Sequence, residues 1–253
     1  VKEVEPQAFI IENVLGLASL FKGQVKDRII EEFTKLGYTV VAKILNASDY
    51  GVPQNRRRIV FVGLKGKTKF EFPEPTHFDL VNGFNTHLGY PKVTVSDAIS
   101  DLPLLIDEMG AEEMAYTSKA MTNYQRLMRK GSKKLFNHVA SNHTDQTKKI
   151  IALVPEGGNY KSLPENYIGT RNFHVAWTRL NGSKPSPTID TGHRHHFHPI
   201  ANRVPTVRES ARIQSFPDTF KFIGTKTSQY KQVGNAVPPL LAKVLGEQLI
   251  KYL

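Results

Sequence analysis

The stretch that decides the fold is RIVFVGL at residues 58–64, which follows directly on the segment YGVPQNRRR at residues 50–58. Its length and its β-branched and aromatic residues are typical of a strand that is buried on both faces. A second apolar run, AFII at residues 8–11, ends in Glu12-Asn13-Val14. This run is predicted to form another buried strand, with a polar group at its carboxyl end.

The segment between these two runs predicts one helix and one further strand. Apolar residues share one face from Gln24 to Leu36, and Gly37 follows as a helix-ending glycine would. Residues from Tyr38 to Leu45 are rich in β-formers. The order strand, helix, strand, loop, strand predicts an α/β fold and indicates the last part of a sheet. In such sheets function gathers at the carboxyl ends of strands, where Glu12 is expected.

The rest of the chain predicts a second domain. Prolines punctuate residues 65–110, and residues 111–202 are polar, basic and irregular. Thr206 and Glu209 form a capping box for a helix expected to run to near Pro217. The predicted division is therefore a partial large domain at 1–70, a linker at 71–110, a small loop-rich domain at 111–225, and a C-terminal helix at 226–253 that returns to the large domain.

The charge of the chain favours a polyanionic partner such as nucleic acid. Lysine and arginine number 34 against 23 acidic residues, a net charge of +11. Eight of the bases and only one acid lie between Lys119 and Lys149, as expected of a surface that follows phosphates. The alternative is a basic protein with scattered lysines. No run of about 18 apolar residues occurs, so no membrane partner is expected, and a cytoplasmic location is predicted.

Four segments, in this order along the chain, resemble the DNA (cytosine-5)-methyltransferase family of the bacterial restriction-modification type. They are ENV at 12–14, YGVPQNRRR at 50–58, RVPTVRESARIQSFPD at 203–218 and QVGNAVPP at 232–239. The middle of the chain, about 70 to 200, matches only loosely, and the family's target-recognition region lies there. The resemblance implies the second half of a Rossmann-like, S-adenosylmethionine-dependent methyltransferase sheet, joined to a small, loop-rich target-recognition domain.

The resemblance assigns catalytic roles to Glu12, Arg56 and Arg58. Cytosine C5 becomes nucleophilic when a thiolate adds to C6, and that addition is easier if N3 is protonated by a carboxyl group in a dry pocket. Glu12 matches the family's residue for this task, Arg58 matches the arginine at the O2 side of cytosine, and Arg56 matches the arginine that organises the same pocket. The target base must leave the double helix to reach them. The structural alternative is that Glu12 only caps the next segment and that the arginines form a solvated basic turn.

The last motif implies a cofactor site. Asn235 and Val237 match the part of the family that closes the S-adenosylmethionine pocket. The structural alternative is a tight turn before a helix, for which Gly234 supplies the backbone freedom. Thr188-Ile189 also resembles a Thr-aliphatic pair in the family's recognition region. The histidines between Gly192 and His198 invite a metal site, but no acidic ligand lies beside them, so none is expected.

Two family elements are absent from the sequence. It has no FxGxG-type cofactor turn and no Pro-Cys, since it contains no cysteine at all. In the family both precede the ENV motif, so the chain is expected to be the C-terminal part of such an enzyme. An upstream segment or a partner chain would then carry the catalytic cysteine, with double-stranded DNA as the substrate. The alternatives are a non-catalytic DNA-binding or regulatory relative and a tRNA cytosine-5 methyltransferase.

Overall fold

The computed structural model describes residues 1–80, 88–167, 177–190 and 196–253. None of the helices in this part of the chain has the length and apolar character needed to cross a lipid bilayer. The strands are β1 (Ala8–Val14), β2 (Tyr38–Asn46), β3 (Arg57–Lys65), β4 (His77–Phe78), β5 (Tyr90–Pro91), β6 (Gly110–Met114), β7 (Leu135–Val139), β8 (Thr178–Arg179) and β9 (His196–Phe197). The α-helices are α1 (Leu15–Ser19), α2 (Gln24–Lys35), α3 (Val95–Ile99), α4 (Asn123–Arg129), α5 (Asp145–Ala152), α6 (Val207–Ile213), α7 (Lys226–Asn235) and α8 (Pro239–Ile250).

The first three strands form one sheet in the order β1-β3-β2, and β3 runs antiparallel to both neighbours. The RIVFVGL stretch occupies this central strand because it is apolar on both faces, and Val60, Phe61 and Val62 are fully buried. The three predicted strands and the helix α2 between the first two are confirmed. Mixed α/β structure is therefore present, as predicted.

The two outer strands of the sheet are less covered than the central one. Ile10 on β1 is 39% exposed and Ile44 on β2 is 44% exposed. Helix α2 packs on one face through Phe33, whose ring lies 4.5 Å from that of Phe9. The register places Phe9 opposite Gly63, where an added Cβ would lie 2.3 Å from the Phe9 ring. Only glycine at 63 leaves room for this ring.

Contacts divide the chain into two compact units. The first contains residues 1–51, 56–91 and 239–253, and the second contains 52–55 and 92–238. The domain limits expected from the sequence stay a prediction beside these units. Of the segment 71–110, residues 71–91 lie in the first unit, where the Glu71 amide donates to the Tyr252 hydroxyl at 3.1 Å. Helix α8 belongs to that unit, whereas α7, also expected there, packs against α6 in the second unit.

Helix α6 is the centre of the second unit, and all seven of its residues are buried. The predicted capping box is present, because Thr206 accepts from the Glu209 amide and the Glu209 carboxylate accepts from the Thr206 amide. The helix ends earlier than expected, at Ile213. Ser215 takes a left-handed conformation, with φ 66°, and turns the chain before Pro217.

Candidate active site

Glu12 and Arg58 lie on adjacent antiparallel strands of the first unit. Glu12 pairs with Val60, and Arg58 pairs with Val14, so the two side chains are diagonal neighbours on one face of the sheet. Glu12 Oε1 lies 3.0 Å from Arg58 Nε, and both side chains are largely covered, with 20% and 13% exposed. The sequence pattern placed Glu12 after a strand; the structure places it within β1, close to its carboxyl end.

The Arg58 guanidinium is fixed from two sides. Besides the ion pair with Glu12, its Nη1 donates to the Arg57 carbonyl oxygen at 2.9 Å. The contact between Glu12 Oε1 and Arg58 Nε is an ion pair without hydrogen-bond geometry, and this buried oxygen accepts no hydrogen bond from the described residues. A carboxylate oxygen in this state retains a lone pair for an N–H donor of a bound molecule.

Arg56 is the most deeply buried of the three residues. It is 3% exposed, and burial, reinforced by the like charge of Arg58, lowers its pKa to about 10. The carboxylate of Glu12 acts in the opposite direction on the same pKa. Glu12, Arg56 and Arg58 are therefore close enough to influence each other electrostatically. Arg57, between the two, is exposed, as the alternation of a strand requires.

Asn235 and Val237 lie at the end of α7, in the second unit. Asn235 is the last helical residue and is exposed, while Val237 is half-buried in the extended segment that follows. These residues offer an exposed side-chain amide and a partly exposed aliphatic surface. They do not provide the backbone amides of a glycine-rich turn.

The basic segment from Lys119 to Lys149 is only partly available to a polyanion. Arg129 donates to the carbonyl oxygens of Ser118 and Asp101, and Arg126 donates to that of Met121, so both arginines hold the protein's own backbone. Lys134 is paired with Glu113. Besides Lys134, four lysines of the segment are exposed: Lys119, Lys130, Lys133 and Lys149.

The arginines of the RVPTVRESARIQSFPD segment form internal ion pairs. Arg203 binds both carboxylate oxygens of Glu209 at 2.8 Å, and Arg212 binds Asp218 at 2.6 and 2.7 Å. Arg208 donates to backbone carbonyl groups and is fully buried, as is Arg212. These contacts hold the arginines inside the protein, so they are not available to phosphates.

The histidine-rich segment falls partly outside the described residues, which exclude 191–195. Within the described part, His198 is a structural residue: its Nδ1 accepts from the amides of Ile200 and Ala201 at 3.1 and 3.0 Å. Over the same part of the chain, no group of three or more acidic or histidine side chains is arranged to hold a metal ion.

The motif resemblance indicated Arg56 and Arg58, but it did not indicate two glutamines, Gln54 and Gln214, whose side chains are fully buried. Gln54 stands inside the GVPQ motif and Gln214 inside the ARIQSFPD motif. The motifs were therefore a signal that these positions matter, but the sequence did not indicate that the two side chains contact each other.

Comparison with known proteins assigns the chain to a family. The model of the family described as C-5 cytosine-specific DNA methylase matches residues 1–251. The chain is 39% identical to the type II methyltransferase M.DdeI of Desulfomicrobium norvegicum over 274 aligned residues, covering 100% of this chain and 65% of the relative. It is 38% identical to the type II methyltransferase M1.HphI of Haemophilus parahaemolyticus, covering 99% of this chain and 58% of the relative. The chain thus spans about three fifths of the length of these curated relatives.

Solved structures show the same fold. A prophage-encoded protein of Escherichia coli matches with a TM-score of 0.74 at 24% identity, covering 99% of this chain and 71% of that one. The Dnmt2 methyltransferase of S. pombe matches with a TM-score of 0.53 at 14% identity, covering 98% of this chain and 67% of that one.

Proposed function

The chain belongs to the C-5 cytosine-specific DNA methylase family, and on that premise we propose that it supplies the base-binding, DNA-reading and cofactor-closing parts of a DNA (cytosine-5)-methyltransferase. The observation that carries the proposal is the pairing of Glu12 with Arg58 beside the buried Arg56. A module that only bound DNA would need no carboxyl group held in this way. The substrate is a cytosine that has left a specific site in double-stranded DNA, as in a bacterial restriction-modification system.

The proposed role of Glu12 is to hold a proton at cytosine N3. Arg58 orients the carboxylate through the ion pair at Oε1, and this oxygen, which accepts no hydrogen bond from the described residues, would accept one from protonated N3 of the base. Arg58 also offers guanidinium donors to the O2 side of the base, and the buried Arg56 organises the same pocket. The partial burial of these groups strengthens each charge–dipole interaction with the base.

S-adenosylmethionine, the cofactor of the family, supplies the electrophilic methyl group when it is bound. Asn235 and Val237 would contact one side of it and limit its exposure to water. The glycine turn that holds the other side is not in this sequence, so this chain's share of the cofactor site is the closing part.

The sequence of 253 residues contains no cysteine, and the family's addition to cytosine C6 needs a thiolate. We therefore propose that an upstream segment or a partner chain carries the catalytic cysteine. In this proposal the first unit is the second half of the methyltransferase sheet, and the second unit contains the target-recognition domain. The completed enzyme would act in the bacterial cytoplasm, where the chromosome lies.

The experiment that tests the proposal compares the 253-residue chain alone with the chain supplied with a cysteine-bearing first half from a family member. Both are incubated with labelled S-adenosylmethionine and with duplex DNA or tRNA. The chain alone, verified by intact mass, is expected to transfer no label, and the completed enzyme is expected to form 5-methylcytosine in duplex DNA. Label transferred by the chain alone would contradict the division of the site. Methylation of tRNA only would favour the RNA-acting branch, and DNA binding without methylation in every combination would favour a non-catalytic relative.

A further inference from the structure

Gln54 and Gln214 link four segments of the second unit through one chain of hydrogen bonds. The Ile189 amide donates to Gln54 Oε1 at 3.0 Å, Gln54 Nε2 donates to Gln214 Oε1, and Gln214 Nε2 donates to the Ala236 carbonyl oxygen at 2.7 Å. The connected segments are the GVPQ motif, the Thr188-Ile189 pair, the ARIQSFPD motif that carries Gln214 and the end of α7. We refer to this chain of bonds as the amide relay.

The direction of the amide relay is fixed at both ends by backbone groups. The amide of Ile189 can only donate, so the atom of Gln54 that faces it is the oxygen. The carbonyl of Ala236 can only accept, so the atom of Gln214 that faces it is the nitrogen. With both ends fixed, the middle bond can run only from Gln54 to Gln214, and neither side-chain amide can rotate by 180° without losing two partners.

A second set of bonds holds the GVPQ motif and the segment at Thr188-Ile189 together along their backbones. Ser186 and Gln54 form a parallel bridge, in which the Ser186 amide donates to the Pro53 carbonyl at 2.9 Å and the Asn55 amide donates to the Ser186 carbonyl at 2.7 Å. The Thr188 hydroxyl donates to the Asn55 carbonyl at 2.9 Å. The Thr188-Ile189 pair is thus fixed to residues 53–55, immediately before Arg56 in the sequence.

We propose that Gln54 and Gln214 are positioning residues for the proposed reaction, which tie the reading of the DNA target to the placement of the segments that hold base and cofactor. The inference rests on the proposed function. The Thr188-Ile189 pair belongs to the expected recognition region, Gln54 precedes Arg56 by two residues, and the relay ends at Ala236, between Asn235 and Val237. Because both glutamines are fully buried, water cannot replace a lost partner, and a shift at one end disturbs the other.

The first test measures amide hydrogen exchange in the full 253-residue chain. Gln214→Met keeps the size of the side chain but removes the acceptor of Gln54, which in turn accepts from the Ile189 amide. Exchange at the Ile189 amide is expected to accelerate about tenfold, the effect of weakening one buried hydrogen bond. The matched control is Gln232→Met on α7, whose amide binds the Ile223 carbonyl outside the relay. Equal exchange at Ile189 in Gln214→Met and wild type would overturn the relay.

The second test separates positioning from stability by selecting duplexes from a random library with wild type, Gln214→Met and Gln54→Met. Both variants are expected to bind total DNA with unchanged salt dependence but to enrich a less defined target sequence. If the variants enrich the same sequence as the wild type with equal definition, the positioning role is wrong. If the wild type enriches no sequence, the DNA-reading part of the proposed function fails, and the exchange measurement still decides whether the relay exists. Should Gln54→Met fail to fold, Gln214→Met carries both readouts.

Discussion

Glu12 and Arg58 meet diagonally across β1 and β3, with 3.0 Å between Oε1 of the carboxylate and Nε of the guanidinium. Their separation is set by the register of two paired strands, whereas residues on a loop would depend on its conformation. The central strand is buried on both faces, so the register cannot shift by one residue without exposing its apolar side chains. The pair is therefore a rigid element of the proposed site.

Replacing Glu12 by glutamine is expected to remove the proton that the proposed site offers to cytosine N3. Glutamine keeps the size of the side chain but does not titrate, so turnover of the completed enzyme should fall by about 10²- to 10⁴-fold. The affinity for DNA should change little, because most of that affinity comes from phosphate contacts. Single-turnover methylation and equilibrium DNA binding measure the two effects. Glu32→Gln, at an exposed position of α2, is the control. Wild-type turnover of the Glu12 variant would remove Glu12 from the mechanism.

Arg58 and its neighbour Arg57 allow a matched comparison of two adjacent arginines. Lysine at 58 cannot bind Glu12 and the Arg57 carbonyl oxygen at once, because its single ammonium group lacks the planar fork of a guanidinium. Losing one of these two contacts of the guanidinium corresponds to a decrease of about 10- to 100-fold in kcat/KM of the completed enzyme. Arg57→Lys, at an exposed position, should leave kcat/KM unchanged. Equal activities for the two variants would show that Arg58 needs only its charge.

The Arg203–Glu209 pair should dominate the stability of the second unit. Both side chains are almost completely buried and share two hydrogen bonds of 2.8 Å. Glu209→Gln leaves the Arg203 charge buried without its counter-ion, which costs about 3–5 kcal/mol of unfolding free energy. Urea unfolding of the chain measures this loss. Glu113→Gln, which removes an exposed partner of Lys134, is expected to leave the urea midpoint unchanged, and a similar change in both variants would argue against the buried pair.

His198 should make the stability of the chain fall in mild acid. Burial lowers its pKa to about 4, and its Nδ1 already accepts two backbone amides, so it cannot take a proton without losing them. The unfolded chain protonates this histidine near pH 6.5. Between pH 6.5 and about 4 the unfolded state therefore binds more protons, and the unfolding free energy falls by up to about 1.4 kcal/mol per pH unit.

The variant that checks this pH dependence is His198→Asn, whose side-chain oxygen can still accept from the Ile200 and Ala201 amides but does not titrate. Urea unfolding at several pH values should give a smaller slope for the variant than for the wild type across this window. Parallel curves for the two proteins would mean that His198 does not contribute. His138, whose pKa burial also lowers, remains in both proteins and cancels in the comparison.

The strands and α2 were predictable from the sequence because each depends on local periodicity. The order β1-β3-β2 was not, since an apolar run does not specify its pairing partner. The same limit applies to the site. The motif resemblance predicts that Glu12 and Arg58 share a pocket, but their diagonal contact follows from the register. The hydrogen bonds that Arg208 donates to Phe136, Pro217 and Phe220 end on backbone carbonyl groups, and no side-chain pattern indicates them.

Phe9 and Gly63 are far apart in the sequence, but their close fit means that substitutions at the two positions depend on each other. Any side chain at 63 would overlap the Phe9 ring, and a smaller residue at 9 would leave a void beside Phe33 and Tyr38. A substitution at either position is therefore tolerated only together with a compensating one at the other. Among related sequences the two positions should covary, with glycine at 63 accompanying aromatic residues at 9.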